Sequence, residues 1–233
     1  MKVEMWSDVI CPWCYIGKRR FETALAGFGH RDEVEVVWRS FELDPEAPRV
    51  SHADPIEHLA AKYGMSVEQA KAAQANVTAV AAGEGLDYHL ATAKGGNSFD
   101  AHRLVHLAAG ESRQEDMEER LFAAHFVDNE AIGDHETLVR LAAEVGLDPV
   151  EAEEVLVGDA FGDEVRSDEA EARGLGISGV PFFVIDRAYG VSGAQPSETL
   201  RAALDQAWTA SHPLTMVAGE DDGPSCEGDN CAI

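Results

Sequence analysis

Strand-forming segments stand only near the two ends of the described pattern, and this separation constrains the fold more than any other feature. Residues 3–9 and 34–41 carry the β-branched and aromatic side chains of buried strands, and residues 180–185 and 189–191 carry them again. From about residue 52 to about residue 175 the chain reads helical almost throughout. Ser66 with Gln69 and Ser112 with Glu115 have capping-box spacing, Asp148-Pro149 with Glu151 marks a third helix start, and Gly110 and Gly146 stand where helices end. Two domains in series would leave the early strands without sheet partners. The simplest architecture is therefore an α/β layer interrupted by a large all-helical insertion between the second and third strands. This divides the chain into a discontinuous sheet domain (1–50 and 176–210), a helical insertion (51–175) and an acidic tail (211–233).

The formal net charge of −25 argues against nucleic acid as a partner, since phosphate binding needs a basic face, and against an anionic membrane surface. Five lysines against thirteen arginines leave two readings open, a surface adapted to a high-salt cytoplasm or the arginine bias of a high-GC genome. No run approaches the roughly 20 apolar residues of a membrane span. The first ten residues lack the basic head and apolar stretch of a signal peptide, so a cytoplasmic location is expected.

The four cysteines fall into two pairs, Cys11/Cys14 and Cys226/Cys231. Cys11-Pro12-Trp13-Cys14 follows the first strand and opens a helix, for Pro12 suits a first helical turn and Tyr15, Ile16, Phe21, Leu25 and Phe28 recur at helical spacing. A helix N-terminus carries unpaired amides and the positive end of the macrodipole, which stabilise a thiolate. Cys11 is thus expected to attack a disulfide and Cys14, one turn inside, to resolve the mixed disulfide. A zinc site is the structural alternative, but zinc knuckles sit in loops rather than at the start of an apolar helix. In Gly179-Val180-Pro181-Phe182 a proline opens a strand. A cis bond there would make a tight bend and leave the Val180 backbone free to pair with an extended substrate.

With these segments in view, the sequence resembles the DsbA family of thiol–disulfide oxidoreductases, within the thioredoxin-like superfamily, and more closely its FrnE-like branch. The resemblance rests on Ser7-Asp8-Val9-Ile10 before the cysteine motif, on residues 97–104 (NSFDAHRL), on Ile177-Ser178 before Gly179-Val180-Pro181 and on Ser192-Gly193-Ala194-Gln195; it covers roughly residues 1–210. It implies a thioredoxin-like fold, disulfide oxidoreductase or isomerase activity on protein thiols and disulfides, and a cis Pro181. Some relatives also carry a C-terminal pair like Cys226/Cys231. Secreted relatives usually hold histidine between the cysteines, where this chain has Trp13. An indole adds no positive charge beside a thiolate, so a weaker oxidant is expected, exchanging electrons with a glutathione-like or other low-molecular-weight thiol and requiring no bound cofactor or metal.

Pro12, Trp13, Val180 and Pro181 are the expected substrate-groove residues. Asn97, His102 and Arg103 either face the Cys11 thiol and bind substrate, with His102 able to move a proton, or serve as a helix cap and surface groups. Cys226 and Cys231 are read first as an auxiliary redox pair relaying electrons to Cys11 and Cys14; a local disulfide and a metal site with nearby acids remain alternatives. Two other functions compete with the oxidoreductase. A glutathione-dependent isomerase or transferase of kappa-class type would usually carry serine at position 11 and no resolving thiol. A non-enzymatic redox or metal sensor would bind a partner through the helical block.

Overall fold

The computed structural model describes residues 1–213. Among these, four strands form one sheet: β1 (Lys2–Ser7), β2 (Glu35–Ser40), β3 (Phe182–Ile185) and β4 (Tyr189–Ser192), in the order β2-β1-β3-β4. β1 runs parallel to β2 and antiparallel to β3, with Met5 opposite both Trp38 and Phe183. Ile185 pairs with Tyr189 across a three-residue β3–β4 loop, in which Asp186 and Arg187 have positive φ (47° and 56°) and Ala188 N–H donates to Ile185 O at 3.0 Å.

The period-2 alternation of the strands assigns their two faces. Val3 and Met5 of β1, with Phe183 and Ile185 of β3, join the main core, while Trp6 and Val184 point to the opposite face and meet Ala172 and Ile177. The main face is covered by α1 (Pro12–Ala26) and α9 (Ser197–Ser211), the latter through Leu200, Leu204 and Ala207. Trp6, Met5, Phe183 and Ile16 are almost fully enclosed, each contributing about 1.5–3 kcal/mol by burial.

Seven helices lie between β2 and β3: α2 (Pro55–Tyr63), α3 (Val67–Gly83), α4 (Phe99–Gly110), α5 (Gln114–Phe126), α6 (His135–Glu144), α7 (Pro149–Val157) and α8 (Gly162–Gly174). Their core does not separate from that of the sheet. Leu104, Leu121, Phe122, Phe126, Leu138 and Leu141 belong to one apolar cluster with Val3, Met5 and Ile16. Tyr15 of α1 stacks on Phe122 of α5 with ring centroids 4.9 Å apart. α8 closes the far face, where its Asp168 accepts Arg39 (2.9 Å) and the Ser40 amide (2.9 Å), and its carbonyl accepts the Trp6 indole (3.0 Å).

Local signals decide most helix ends. The Ser66–Gln69 capping box forms in both directions, and Asp148 caps α7 with Pro149 in its first turn. The Ser112–Glu115 box does not form. Ser112 takes φ 58° in the turn that ends α4, where Arg113 N–H reaches Ala108 O at 2.8 Å, so α5 starts at Gln114 without a side-chain cap. The same turn moves the left-handed residue from the expected Gly110 to Ser112, whereas Gly146 has the predicted positive φ of 90°.

Candidate active site

The junction of β1 and α1 is a tight turn in which Cys11 N–H donates to Asp8 O (2.9 Å) and Cys14 N–H to Cys11 O (3.0 Å). Cys11 is the N-cap of α1, with extended backbone (φ −88°, ψ 113°), and Pro12 occupies the first turn. The cap position makes no side-chain hydrogen bond to the helix, so the sulfur stands at the positive end of the macrodipole. Both cysteines are free thiols. The Cys11 thiol lies 3.6 Å from the Val180 carbonyl oxygen, toward which it donates. Cys14 is the deeper of the two, 1% exposed against 4%. Burial, reinforced by the hydrogen bond with Cys11 and by its charge, pushes the Cys14 thiol well above its ordinary range.

The wall opposite the cysteines is the turn before β3. The Val180–Pro181 peptide is cis, and Gly193 N–H donates to Pro181 O at 2.8 Å, tying this turn to the end of β4. Arg20 of α1 donates to Ala194 O (2.6 Å) and so holds the same segment from the helix side. Gly17 lets α1 lie against Pro181, since a Cβ there would sit 2.9 Å from a proline ring carbon. Pro12, Trp13 and Val180 are half-buried around Cys11, and Trp13 packs along the edge of the core.

Behind the turn lie groups contributed by the helical segment. The Tyr88 hydroxyl donates to the Pro12 carbonyl (2.7 Å), and its ring stacks on Phe126. Burial, and then charge on the nearby Cys11, hold the Tyr88 phenol above its usual range. The Asp8 carboxylate accepts the Ile10 amide (3.3 Å) and the Leu43 amide (2.7 Å), and His102 Nε2 approaches it at 3.6 Å. Burial favours neutral His102, but the Asp8 carboxylate, with Glu118 and Glu42 beyond, reverses this and holds the imidazole above its ordinary range. Burial pushes Glu118 up to about 8, and draws His125 down to about 4.

Of the residues expected at the substrate groove, the structure gathers Pro12, Trp13, Val180 and Pro181 around Cys11 and places the others elsewhere. Asn97 is a joint: its amide donates to Glu42 Oε1 and Pro45 O (both 3.1 Å), and its oxygen accepts the Phe99 amide at the start of α4. His102 is wholly enclosed and faces Asp8, because α4 is buried on nearly all sides, so it does not border the groove. Arg103 turns away to the end of α7, donating to Ala160 O (2.8 Å), Gly158 O (2.7 Å) and Val155 O. Cys226 and Cys231 lie outside the described residues. Among the described residues no group of three or more His, Cys, Asp or Glu side chains could hold a metal ion, and no helix is long and apolar enough to cross a membrane. Asp8, Gly17, Tyr88 and Glu118 escaped the assignment of roles from sequence. Asp8 alone carried a signal, its place in the segment leading into the cysteines.

The family model for a DSBA-like thioredoxin domain matches residues 2–205. A probable DsbA oxidoreductase from Streptomyces coelicolor is 51% identical in sequence, and its crystal structure superposes with a TM-score of 0.88 over 100% of this chain and 99% of that one. The cytosolic disulfide reductase DsbM of Pseudomonas aeruginosa shares the fold at 17% identity and a TM-score of 0.63, over 90% of this chain and 100% of its own. YwbO of Bacillus subtilis, an uncharacterized protein, is 29% identical over 205 residues, which is 87% of this chain and 94% of YwbO.

Proposed function

This chain belongs to the DSBA-like thioredoxin domain family, and we propose on that premise that it is a thiol–disulfide oxidoreductase that exchanges disulfides with protein substrates through Cys11 and Cys14. The observation that carries the reading is the unequal placement of the two sulfurs. Cys11 caps α1 with its sulfur beside the Val180 carbonyl, while burial and Cys11 itself keep Cys14 protonated. In this reading the Cys11 thiolate attacks a substrate disulfide, the Cys11–substrate disulfide forms, and one substrate thiolate leaves. Cys14 then attacks Cys11, its proton is given up, and the second substrate thiol is released, leaving the Cys11–Cys14 disulfide. A dithiol or two small thiols restore the pair. Run backwards from the disulfide, the same steps oxidise a substrate dithiol.

The half-buried Trp13, Pro12 and Val180 would receive the extended substrate chain, with the Val180 backbone as its pairing edge. A small thiol of glutathione type is the proposed electron donor or acceptor, Cys226 and Cys231 the proposed auxiliary pair, and the cytoplasm the proposed location.

The test uses insulin as substrate and the full chain. Cys11→Ser is expected to abolish catalysed reduction, and Cys14→Ser to accumulate a mixed disulfide at Cys11 visible by non-reducing electrophoresis and mass spectrometry. Insulin reduction that proceeds undiminished in Cys11→Ser overturns the reading.

A further inference from the structure

The exchange chemistry leaves unused a set of buried polar groups behind the cysteine turn. Ser7, Asp8, His102, Glu118 and His125 are all enclosed, drawn from the β1–α1 junction, α4 and α5. Several of their atoms find no hydrogen-bond partner: Ser7 Oγ, both ring nitrogens of His102, Glu118 Oε2 and His125 Nδ1. Unsatisfied groups at this depth oppose stability. They gather around Asp8, the residue whose carbonyl accepts the Cys11 amide.

Asp8 connects this set to the sulfurs. Its carbonyl accepts the Cys11 amide, and its carboxylate accepts the Ile10 and Leu43 amides. The cation nearest that carboxylate is His102, at 3.6 Å. The groups facing His102 from the surrounding elements are Asp8 from the β1–α1 turn, Glu118 from α5 and Glu42 from the segment after β2; Glu42 is in turn paired on its outer side with Arg166 of α8. His125 of α5 also lies within reach of the Asp8 charge.

We infer that His102 is a positioning residue for the redox reaction: as an imidazolium it balances Asp8, and this balance lets the turn accept thiolate charge and so sets the reduction potential of the Cys11–Cys14 pair. The inference rests on the reading of Cys11 and Cys14 as a redox couple. Without the imidazolium, the buried Asp8 anion stands uncompensated beside sulfurs that must themselves carry negative charge, and the disulfide is favoured. Without the Asp8 anion the opposite holds.

The experiment equilibrates the full chain with dithiothreitol and its cyclic disulfide at pH 7 and reads the Cys11–Cys14 peptide by differential alkylation. Two electrons pass to the protein disulfide, its S–S bond breaks and the dithiothreitol ring closes. The two protons released are taken up by the protein thiols and the solvent. His102→Gln is expected to shift the equilibrium about tenfold toward the disulfide, a potential lower by about 30 mV. Asp8→Asn is expected to shift it the other way, and the double variant to return close to the parent, since neither charge of the pair then remains. Shifts in the same direction, or a His102→Gln equilibrium within twofold of the parent, overturn the inference. The unsubstituted protein supplies a second measurement that needs no variant to fold. By reciprocity, the His102 ring followed by NMR must titrate at higher pH in the reduced than in the oxidised chain. Identical titration in the two states overturns it. Loss of exchange in Cys11→Ser tests the underlying function separately, because that outcome does not depend on His102.

Discussion

Gly17 and Pro181 touch beside the cysteine pair: a Cβ on Gly17 would meet the proline ring at 2.9 Å and 3.3 Å, with the Phe183 ring next at 3.5 Å. One turn beyond Cys14, the missing side chain of Gly17 lets the helix that carries both sulfurs seat against the turn that faces them. Gly17→Ala gains helix propensity worth about 1 kcal/mol, but forces a methyl against a ring that cannot swing aside. Overpacking of this kind costs about 1–3 kcal/mol. The expected result is a protein no more stable than the parent in urea, with slower insulin reduction. A clearly stabilised and fully active Gly17→Ala protein would show that the contact does not constrain the site.

The two thiols should differ sharply in reactivity. Cys14 is fully buried and its proton is held by burial and by Cys11. At pH 7, in Cys11→Ser, Cys14 is expected to react with iodoacetamide at least about a hundredfold more slowly than Cys11 does in Cys14→Ser, as thiolate fraction and access govern the rate. Peptide mass spectrometry separates these sites from Cys226 and Cys231. Equal rates would contradict the assignment of attacking and resolving roles.

Glu118 gives the fold a pH dependence with a definite sign. Its folded-state value, up to about 8, exceeds the ordinary carboxylate value, so between about 4.5 and 8 the folded protein holds a proton that the unfolded chain has lost. Stability from this group is complete at low pH and declines as pH rises through about 8. His125, drawn down to about 4, acts oppositely: its contribution is present above about 6.5 and lost as pH falls toward 4. The raised His102 adds to the loss at high pH. Between pH 6.5 and 8, therefore, Tm should fall, by up to about 1.4 kcal/mol of stability per pH unit for the one proton on Glu118. Glu118→Gln should flatten this fall. An unchanged slope would place the ionisation elsewhere.

Tyr88→Phe removes a single hydroxyl, the one that donates to Pro12 O at 2.7 Å. The ring stacking on Phe126 is retained, so the cost should be that of one hydrogen bond, about 0.5–1.5 kcal/mol in urea unfolding. A larger loss of exchange rate than of stability would mark the bond as one that fixes the cysteine turn. A neutral substitution on both counts would remove Tyr88 from the site.

What the sequence disclosed follows the range of the interactions involved. The cysteine turn, the helix after it and the glycine-rich approach to Pro181 are local patterns, and each is where its spacing predicts. The single sheet interrupted by helices was legible as well, because the early strands would otherwise have no partners. His102 was found but its direction was not. α4 buries Ala101 to Val105 together with Leu107 and Ala108, so it lacks the polar face that would reveal which way a histidine points. Tyr88 sits between α3 and a short 3-10 turn at Leu90–Thr92, where no period marks it. The partners of Asp8 come from Leu43 and His102, residues far along the chain, and such meetings are written only in the tertiary fold. Ser112 fails as a helix start for a different reason, the competing demand of the preceding helix end.

The apolar cluster that runs unbroken from the sheet into the helical segment has a practical corollary for anyone wishing to shrink this molecule. A minimal scaffold of four strands with α1 and α9 would retain Cys11, Cys14 and Pro181, yet it would lose the tyrosine that grips the cysteine turn and the histidine beside Asp8. It would also strip Tyr15 and Trp38 of the Phe122 ring they pack against. Grafting the motif onto a smaller carrier would therefore transplant the letters of the active site without the ground that holds them still.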